Sequence, residues 1–121
     1  MNLKHFTFDE FDCPNRPGTG HKFMDREFLG MLDEARDIAR IKFKILSGYI
    51  TKEYNRKFPK IVSSSPHLAG RAAHIFCRCP RKRLIIVESL SMVGFQRIGL
   101  AREYIHVDND NLKDNMIWFI T

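Results

Sequence analysis

The sequence predicts an α+β domain in which helices flank a small, mostly antiparallel sheet. Residues 25–40 show helical spacing of apolar side chains, whereas the second half has short apolar runs separated by turn residues. The chain has 121 residues, of which 44% are hydrophobic, which suits a single domain with one modest core. No repeat or linker divides it, so we expect one domain over residues 1–121.

The first third contains two helical signals separated by a loop signal. Thr7 and Glu10 have the spacing of a capping box, which predicts a short helical turn. Residues 13–20 hold two prolines and two glycines and are predicted to form a loop. Asp25 is expected to cap a helix that runs to about residue 40. The apolar stripe of that helix consists of Phe28, Leu32, Ala35 and Ala39.

The middle of the chain alternates strand and helix signals. Residues 43–47 predict a strand, and Thr51 can cap a short helix that ends near Lys57. Pro59 and residues 63–66 predict a further loop. Residues 72–76 predict a second strand.

The last third begins with an ambiguous segment. Pro80 suits the first turn of a helix and Gly94 its end, although Ile85 to Val87 would also fit a strand. The remaining predicted elements are strands at 95–100, 104–107 and 117–120, with a polar turn at 109–115.

Composition narrows the classes of partner and compartment. The formal net charge of +6 favours anionic partners: nucleic acid, a cell-wall polymer or an acidic substrate. No stacking-aromatic RNA motif or helix-turn-helix is recognisable, so we expect no nucleic-acid partner. No apolar run is long enough to span a membrane, and the first residues lack an export signal. We therefore expect synthesis in the cytoplasm, with reduced cysteines and no membrane contact.

Three histidines are candidate metal ligands. His67 and His74 lie seven positions apart around Gly70, which allows a tight turn, and His106 follows far downstream. Two neighbouring histidines and one distant histidine are typical of a zinc site with an open fourth position. The alternative is that each histidine is an ordinary hydrogen-bonded residue of a strand or turn.

The predicted strand at residues 104–107 places polar side chains on one face. Tyr104, His106 and Asp108 share that face because side chains of a strand alternate. Asp108 could then orient a ligand or transfer protons as a general base. Glu103 reaches the same face only if the strand begins after it.

The segment from His74 to Cys79 contains a second candidate metal site. One histidine with Cys77 and Cys79 could begin a structural zinc site. Strand alternation opposes it, because both cysteines would face away from His74. We expect buried, inert thiols there, followed by the solvated first turn of a helix that carries Arg81, Lys82 and Arg83.

Two short patterns together give the chain a recognisable resemblance. They are Ser65-x-His67-x-x-Gly70-x-Ala72, followed much later by His106-x-Asp108. In this order and spacing they resemble the zinc D-alanyl-D-alanine carboxypeptidases, a family of murein peptidases with a hedgehog-like fold. The short single-domain members carried by bacteriophages and prophages are the most similar. Further similarity lies in residues 6–11, 28–36, 43–49 and 94–99 and in Trp118.

The resemblance implies a function and a set of site residues. It implies a zinc metallopeptidase that cleaves D-alanine-containing stem peptides of peptidoglycan with a metal-activated water, as in phage lysis. The implied ligands of Zn²⁺ are His67, His74 and His106. Asp108 is the first choice for the carboxylate that transfers protons and Glu103 the second, and Ser65 and Tyr49 are candidates for substrate contacts. We expect a monomer that acts on the bacterial cell wall after release.

Two positions depart from the family pattern. His74 stands where the family has a zinc-binding aspartate, and we expect it to coordinate through Nδ1, which lies about as close to the backbone as a carboxylate oxygen does. Ile50 stands where the family has an arginine thought to contact substrate. These departures leave open an alternative, a catalytically impaired member that works as a cell-wall-binding or interaction module.

Overall fold

Helices and strands alternate along the part of the chain that the computed structural model describes, residues 1–57 and 65–121. The α-helices are α1 (Thr19–Phe23), α2 (Arg26–Ala39), α3 (Lys52–Lys57) and α4 (Pro80–Met92), and a 3-10 turn covers Phe8–Phe11. The strands are β1 (Lys44–Ser47), β2 (Ala72–Phe76), β3 (Arg97–Leu100), β4 (Tyr104–Asp108) and β5 (Met116–Phe119). The predicted loop at Pro59 and residues 63–64 lies outside the described residues.

The strands form one mixed sheet in the order β1-β2-β4-β3-β5. β2 pairs antiparallel with β1 and β4, β4 pairs antiparallel with β3, and β5 runs parallel to β3. The α+β class is therefore confirmed, with a mixed sheet. The parallel pair arises because β5 follows β4 along the chain but lies on the far side of β3.

One face of the sheet packs against the helices and forms the core. Ile75 of β2 and Ile105 and Val107 of β4 are wholly buried in one apolar cluster with Phe28 and Leu32 of α2. The amphipathic stripe predicted for α2 is thus confirmed as its buried face. The opposite face of β2 and β4 carries His74 and His106.

The start of α2 is attached to the turn that precedes β2. The Asp25 carboxylate accepts a hydrogen bond from the Phe28 amide at 2.9 Å, which confirms Asp25 as the N-cap. The Asp25 amide donates to the Gly70 carbonyl at 2.9 Å. Gly70 has φ +69, and a Cβ there would lie 2.2 Å from the Phe23 carbonyl oxygen. Glycine is therefore required at this turn on two grounds.

One sequence prediction about an element is corrected. The loop predicted through residue 20 is wrong at its end, because Thr19 and Gly20 begin α1. The Asp12 carboxylate accepts hydrogen bonds from the amides of Gly18 and Gly20 and so stabilises the start of a helix rich in loop-forming residues.

In the ambiguous segment, residues 80–92 are helical, which excludes the strand alternative. Arg81 and Lys82 of its first turn are exposed, as predicted, and Arg83 is half-buried. Cys77 is buried and unpaired, but Cys79 is exposed at the N-cap of α4, so the prediction of a buried thiol is wrong there. None of the helices within the described residues is long and apolar enough to cross a membrane.

Candidate metal centre

The three candidate histidines meet on the open face of the sheet. His74 and His106 are directly opposite each other on the neighbouring strands β2 and β4. His67 approaches from the turn before β2, which Gly70 closes. The local folding of two strands and one tight turn therefore brings together residues that are 39 positions apart in the sequence.

One nitrogen of each ring points at the others. His74 Nε2 lies 3.0 Å from His67 Nε2 and 3.0 Å from His106 Nδ1. The three nitrogens all lie within 4.8 Å of one another. His74 faces the cluster with Nε2, so the prediction that it would use Nδ1 is wrong.

His67 is held by the main chain around it. Its Nδ1 donates a hydrogen bond to the Gly48 carbonyl at 2.8 Å, and its backbone amide donates to Ser65 Oγ at 3.2 Å. The Ile50 amide donates to the His67 carbonyl at 3.2 Å. Because Nδ1 carries the proton, Nε2 presents a lone pair to the cluster.

His106 is held by a buried carboxylate. Its Nε2 donates to Asp108 Oδ2 at 2.6 Å, which leaves the lone pair of Nδ1 facing the cluster. Asp108 is wholly buried, and its Oδ1 accepts hydrogen bonds from Arg97 Nε at 2.8 Å and from the Asp110 amide at 3.0 Å. Arg97 also donates to the Asp114 carbonyl and lies over the Trp118 ring.

The environment of the cluster favours neutral imidazole at His67 and His74, because burial lowers the pKa of both rings. Burial lowers the pKa of His67 to about 4, although its hydrogen bond to Gly48 opposes the change. Burial, followed by the charges of His67 and His106, lowers the pKa of His74 to about 2. Both rings are therefore neutral at pH 7 and available as metal ligands.

Asp108 is ionised beside them. Burial acts to raise the pKa of its carboxyl, but hydrogen bonds from His106, the Asp110 amide and Arg97 outweigh burial and leave the pKa lowered. The carboxylate is matched by the Arg97 guanidinium, a pair whose two side chains are 10% and 0% exposed. The negative charge of Asp108 is thus balanced by Arg97.

The donor set fits a divalent transition metal. In a tetrahedral zinc site with zinc–nitrogen bonds of about 2.0–2.1 Å, neighbouring ligand nitrogens are about 3.3 Å apart. Two of the three separations here are 3.0 Å. The hydrogen bonds of His67 and His106 leave two lone pairs directed at His74 Nε2, and a cation between the three nitrogens would bind these lone pairs in place of a proton on His74 Nε2. Imidazole suits zinc, copper, iron and nickel.

A cleft of about 250 Å³ opens over the histidines. Its walls are Ser65, Pro66, His67, His74, Arg97, Tyr104, His106, Asp108, Lys113 and Trp118. The Tyr104 ring stacks on His74 with a centroid distance of 4.2 Å. A ligand that enters the cleft therefore meets three imidazoles, two further aromatic rings and the Lys113 ammonium group.

The structure brings together most of the sequence-predicted site. His67, His74, His106, Asp108 and Ser65 all line the cleft.

Two predicted residues lie elsewhere. Glu103 is largely exposed and lies 3.9 Å from Arg78, outside the cleft walls, even though β4 begins after it. Tyr49 stacks on Phe23 at 5.0 Å and is likewise not part of the cleft walls.

Sequence reasoning missed Arg97 and Lys113 as members of the site. Arg97 is opposite Asp108 in the β3–β4 register, so strand alternation would have found it once that pairing was known. Lys113 lies in the polar turn after β4, whose path no periodic pattern predicts.

The rival cluster of His74, Cys77 and Cys79 does not assemble. Across the described residues, the only group of three or more histidine, cysteine or acidic side chains close enough to share a metal is His67, His74 and His106. Cys77 belongs to the apolar core on the other face of the sheet.

The chain matches no protein-family model, and no curated protein matches it either.

Proposed function

We propose that the chain is a zinc-dependent hydrolase of D-alanine-containing stem peptides of peptidoglycan. The observation that carries the proposal is the convergence of three imidazole nitrogens beneath an open cleft. Three protein ligands with room for a fourth are typical of catalytic zinc sites, whereas structural zinc sites close all four positions with protein. The family resemblance of the two histidine patterns supplies the substrate class.

His67, His74 and His106 would hold the metal. A zinc ion there would polarise a peptide carbonyl and lower the pKa of water. Gly48 and Asp108 fix the tautomers of His67 and His106, so both rings offer their lone pairs without rearrangement. Because imidazole ligands bring no negative charge and Asp108 is paired with Arg97, the described residues that line the cleft supply no unpaired carboxylate to compensate a cation there.

The proposal assigns Asp108 to the orientation of His106. Its two oxygens accept hydrogen bonds from His106, Arg97 and the Asp110 amide, and the side chain has no exposed surface. A carboxylate so engaged is suited to orient a ligand more than to exchange protons with a substrate.

Lys113 is the residue that we assign to a substrate carboxylate. The family arginine that would contact substrate is replaced by Ile50, which is buried. Two cationic side chains line the described part of the cleft, and Arg97 is already bound to Asp108. Lys113 lies 3.5 Å from Asp110 and is partly exposed in the cleft wall, so its ammonium group can be shared with a carboxylate in the cleft.

The second candidate function is a wall-binding module without catalysis. One observation favours it: Asp108 is the only carboxylate among the described residues that line the cleft, and it is fully hydrogen-bonded. A hydrolase needs a group that accepts a proton from the attacking water.

The deciding experiment compares zinc-loaded wild type, His106→Ala and His74→Asp on purified peptidoglycan. The assay measures released D-alanine and cut stem peptides, with zinc content determined on the same samples. The proposal expects hydrolysis by the wild type, none by His106→Ala, and higher activity for His74→Asp. If the wild type and His74→Asp hold zinc but are as inactive as His106→Ala, the binding module takes the place of the hydrolase.

A further inference from the structure

The three histidines are not held in the same way. His67 and His106 each donate a hydrogen bond from the nitrogen that faces away from the cluster, to Gly48 and to Asp108. The side-chain hydrogen bonds of His74 to the described residues are made by Nε2, inside the cluster. Outside the cluster, its ring contacts the aromatic ring of Tyr104.

Tyr104 stacks on His74 almost in parallel. The ring centroids are 4.2 Å apart and the planes differ by 22°. Tyr104 opens β4 two residues before His106, so it lies diagonally across from His74 in the β2–β4 register. By contrast, Trp118 is 5.5 Å from His106 and tilted by 56°, so it does not hold that ring by stacking.

We propose that Tyr104 is the positioning residue for His74, and that its ring does for His74 what Gly48 and Asp108 do for the other two ligands. The proposal rests on the metal site proposed above. Stacking restricts rotation of the imidazole about its side-chain bonds and so keeps Nε2 directed at His67 and His106. A ring free to rotate would have to be ordered when metal binds, and that ordering weakens affinity.

The proposed role depends on the aromatic ring of Tyr104 and not on its hydroxyl group. Phenylalanine keeps the aromatic plane, so Tyr104→Phe should bind zinc as the wild type does. Leucine fills similar space without a π face, so Tyr104→Leu should bind zinc about tenfold more weakly, within the range of about 10- to 100-fold known for residues that orient metal ligands. Phe76 is the matched control, because it is directly opposite Tyr104 on β2 but its ring contacts Lys44.

The test is zinc affinity, measured by chelator competition on the full chain for wild type, Tyr104→Phe, Tyr104→Leu, Phe76→Leu and His74→Ala, and for the double variant Tyr104→Leu/His74→Ala. If Tyr104 acts through His74, Tyr104→Leu weakens binding in the wild-type background and has no further effect once His74 is alanine. Phe76→Leu should match the wild type.

A second measurement needs no metal. In the metal-free protein, the Tyr104 ring current should shift the ring-proton signals of His74 upfield, and Tyr104→Leu should remove that shift while Phe76→Leu retains it. Zinc affinity of Tyr104→Leu equal to that of the wild type would overturn the positioning role and leave the metal site intact. An equal loss with and without His74 would overturn it as well. A wild-type chain that binds no zinc would overturn both this role and the proposed function.

Discussion

The two faces of the sheet are stabilised by different kinds of contact. On the helix side, β2 contributes Ala73 and Ile75, both wholly buried in apolar contacts. On the open side, the same strand contributes His74 to the cleft, and Phe76 is exposed. The covered face is stabilised by many small, non-directional contacts, whereas the open face depends on a few directional hydrogen bonds.

This difference separates stability from metal binding. A change on the covered face should lower the free energy of unfolding and leave the histidine cluster in place. A change to a histidine should remove the metal and affect folding less. Asp108 is an exception to this separation, because it is a charged residue of the open face that is wholly buried and paired with Arg97.

The largest effect on stability is expected for Asp108→Ala. It would leave the Arg97 guanidinium buried without its carboxylate, which costs about 3–5 kcal/mol of unfolding free energy in comparable buried pairs. Chemical denaturation of the metal-free protein measures this loss. Glu103→Ala is the control, since that carboxylate is largely exposed and should change stability by less than about 0.5 kcal/mol. Equal stabilities for the two variants would show that the buried pair is not formed.

Ile75→Ala tests the covered face. Truncation of a wholly buried isoleucine typically costs about 2–5 kcal/mol, because apolar contacts are lost and a cavity remains. Zinc affinity, measured under conditions where the variant is folded, should stay at the wild-type value. The companion variant His74→Ala should show the opposite pattern. Loss of zinc in folded Ile75→Ala would mean that the two faces are coupled.

Acid should destabilise the metal-free protein, because unfolding allows the buried histidines of the open face to be protonated. The folded-state pKa of His67 is about 4, below the value of about 6.5 for an unperturbed histidine, so the unfolded chain binds the proton more tightly. The unfolding free energy therefore falls as the pH drops from about 7 to about 4, by about 3 kcal/mol from His67 alone. Below the folded-state pKa both states are protonated and the loss is complete.

Denaturation across this pH range checks the sign and the source of the effect. His67→Gln should remove the contribution of His67 and leave that of His74, whose pKa is also lowered, whereas His21→Gln, at an exposed histidine, should keep the whole pH dependence. Stability that rises as the solution is acidified through this range would contradict the neutral state assigned to the cluster.

The smallest effect is expected for Asp25→Ala, at the N-cap of α2. Loss of an N-cap side chain costs about 1 kcal/mol, and here it removes the hydrogen bond to the Phe28 amide. Asp25→Asn keeps an acceptor and should be close to the wild type in thermal unfolding. The Asp25 amide, which donates to Gly70, is unchanged by either substitution, so zinc affinity should also be unchanged.

The sequence predicted the elements that depend on local signals. The stripe of α2, its Asp25 cap and the alternation that places Tyr104, His106 and Asp108 on one face are all confirmed, because each is decided by neighbouring residues. The start of α1 was missed because it depends on Asp12, which accepts hydrogen bonds from a segment that reads as loop.

The candidate ligands of the site were more predictable from the sequence than the residues around them. His67, His74 and His106 share a pattern that can be read along the chain. Strand pairing, loop path and side-chain rotation decide where Arg97, Lys113 and Glu103 lie. None of these features produces a periodic pattern in the sequence. The orientation of the His74 ring could not be predicted from the sequence either. Coordination through Nδ1 was expected, but in the structure the ring stacks on Tyr104 and its Nε2 faces the cluster.

The most direct test of the account is the zinc content and zinc affinity of the wild type and of single alanine variants at His67, His74 and His106. The account predicts about one zinc per chain for the wild type, as one three-ligand site requires, and a severe loss in each variant. His21→Ala and the double variant Cys77→Ser/Cys79→Ser should keep the metal. A wild-type chain without zinc, or zinc that survives the loss of any of the three histidines but not of the cysteines, would contradict it.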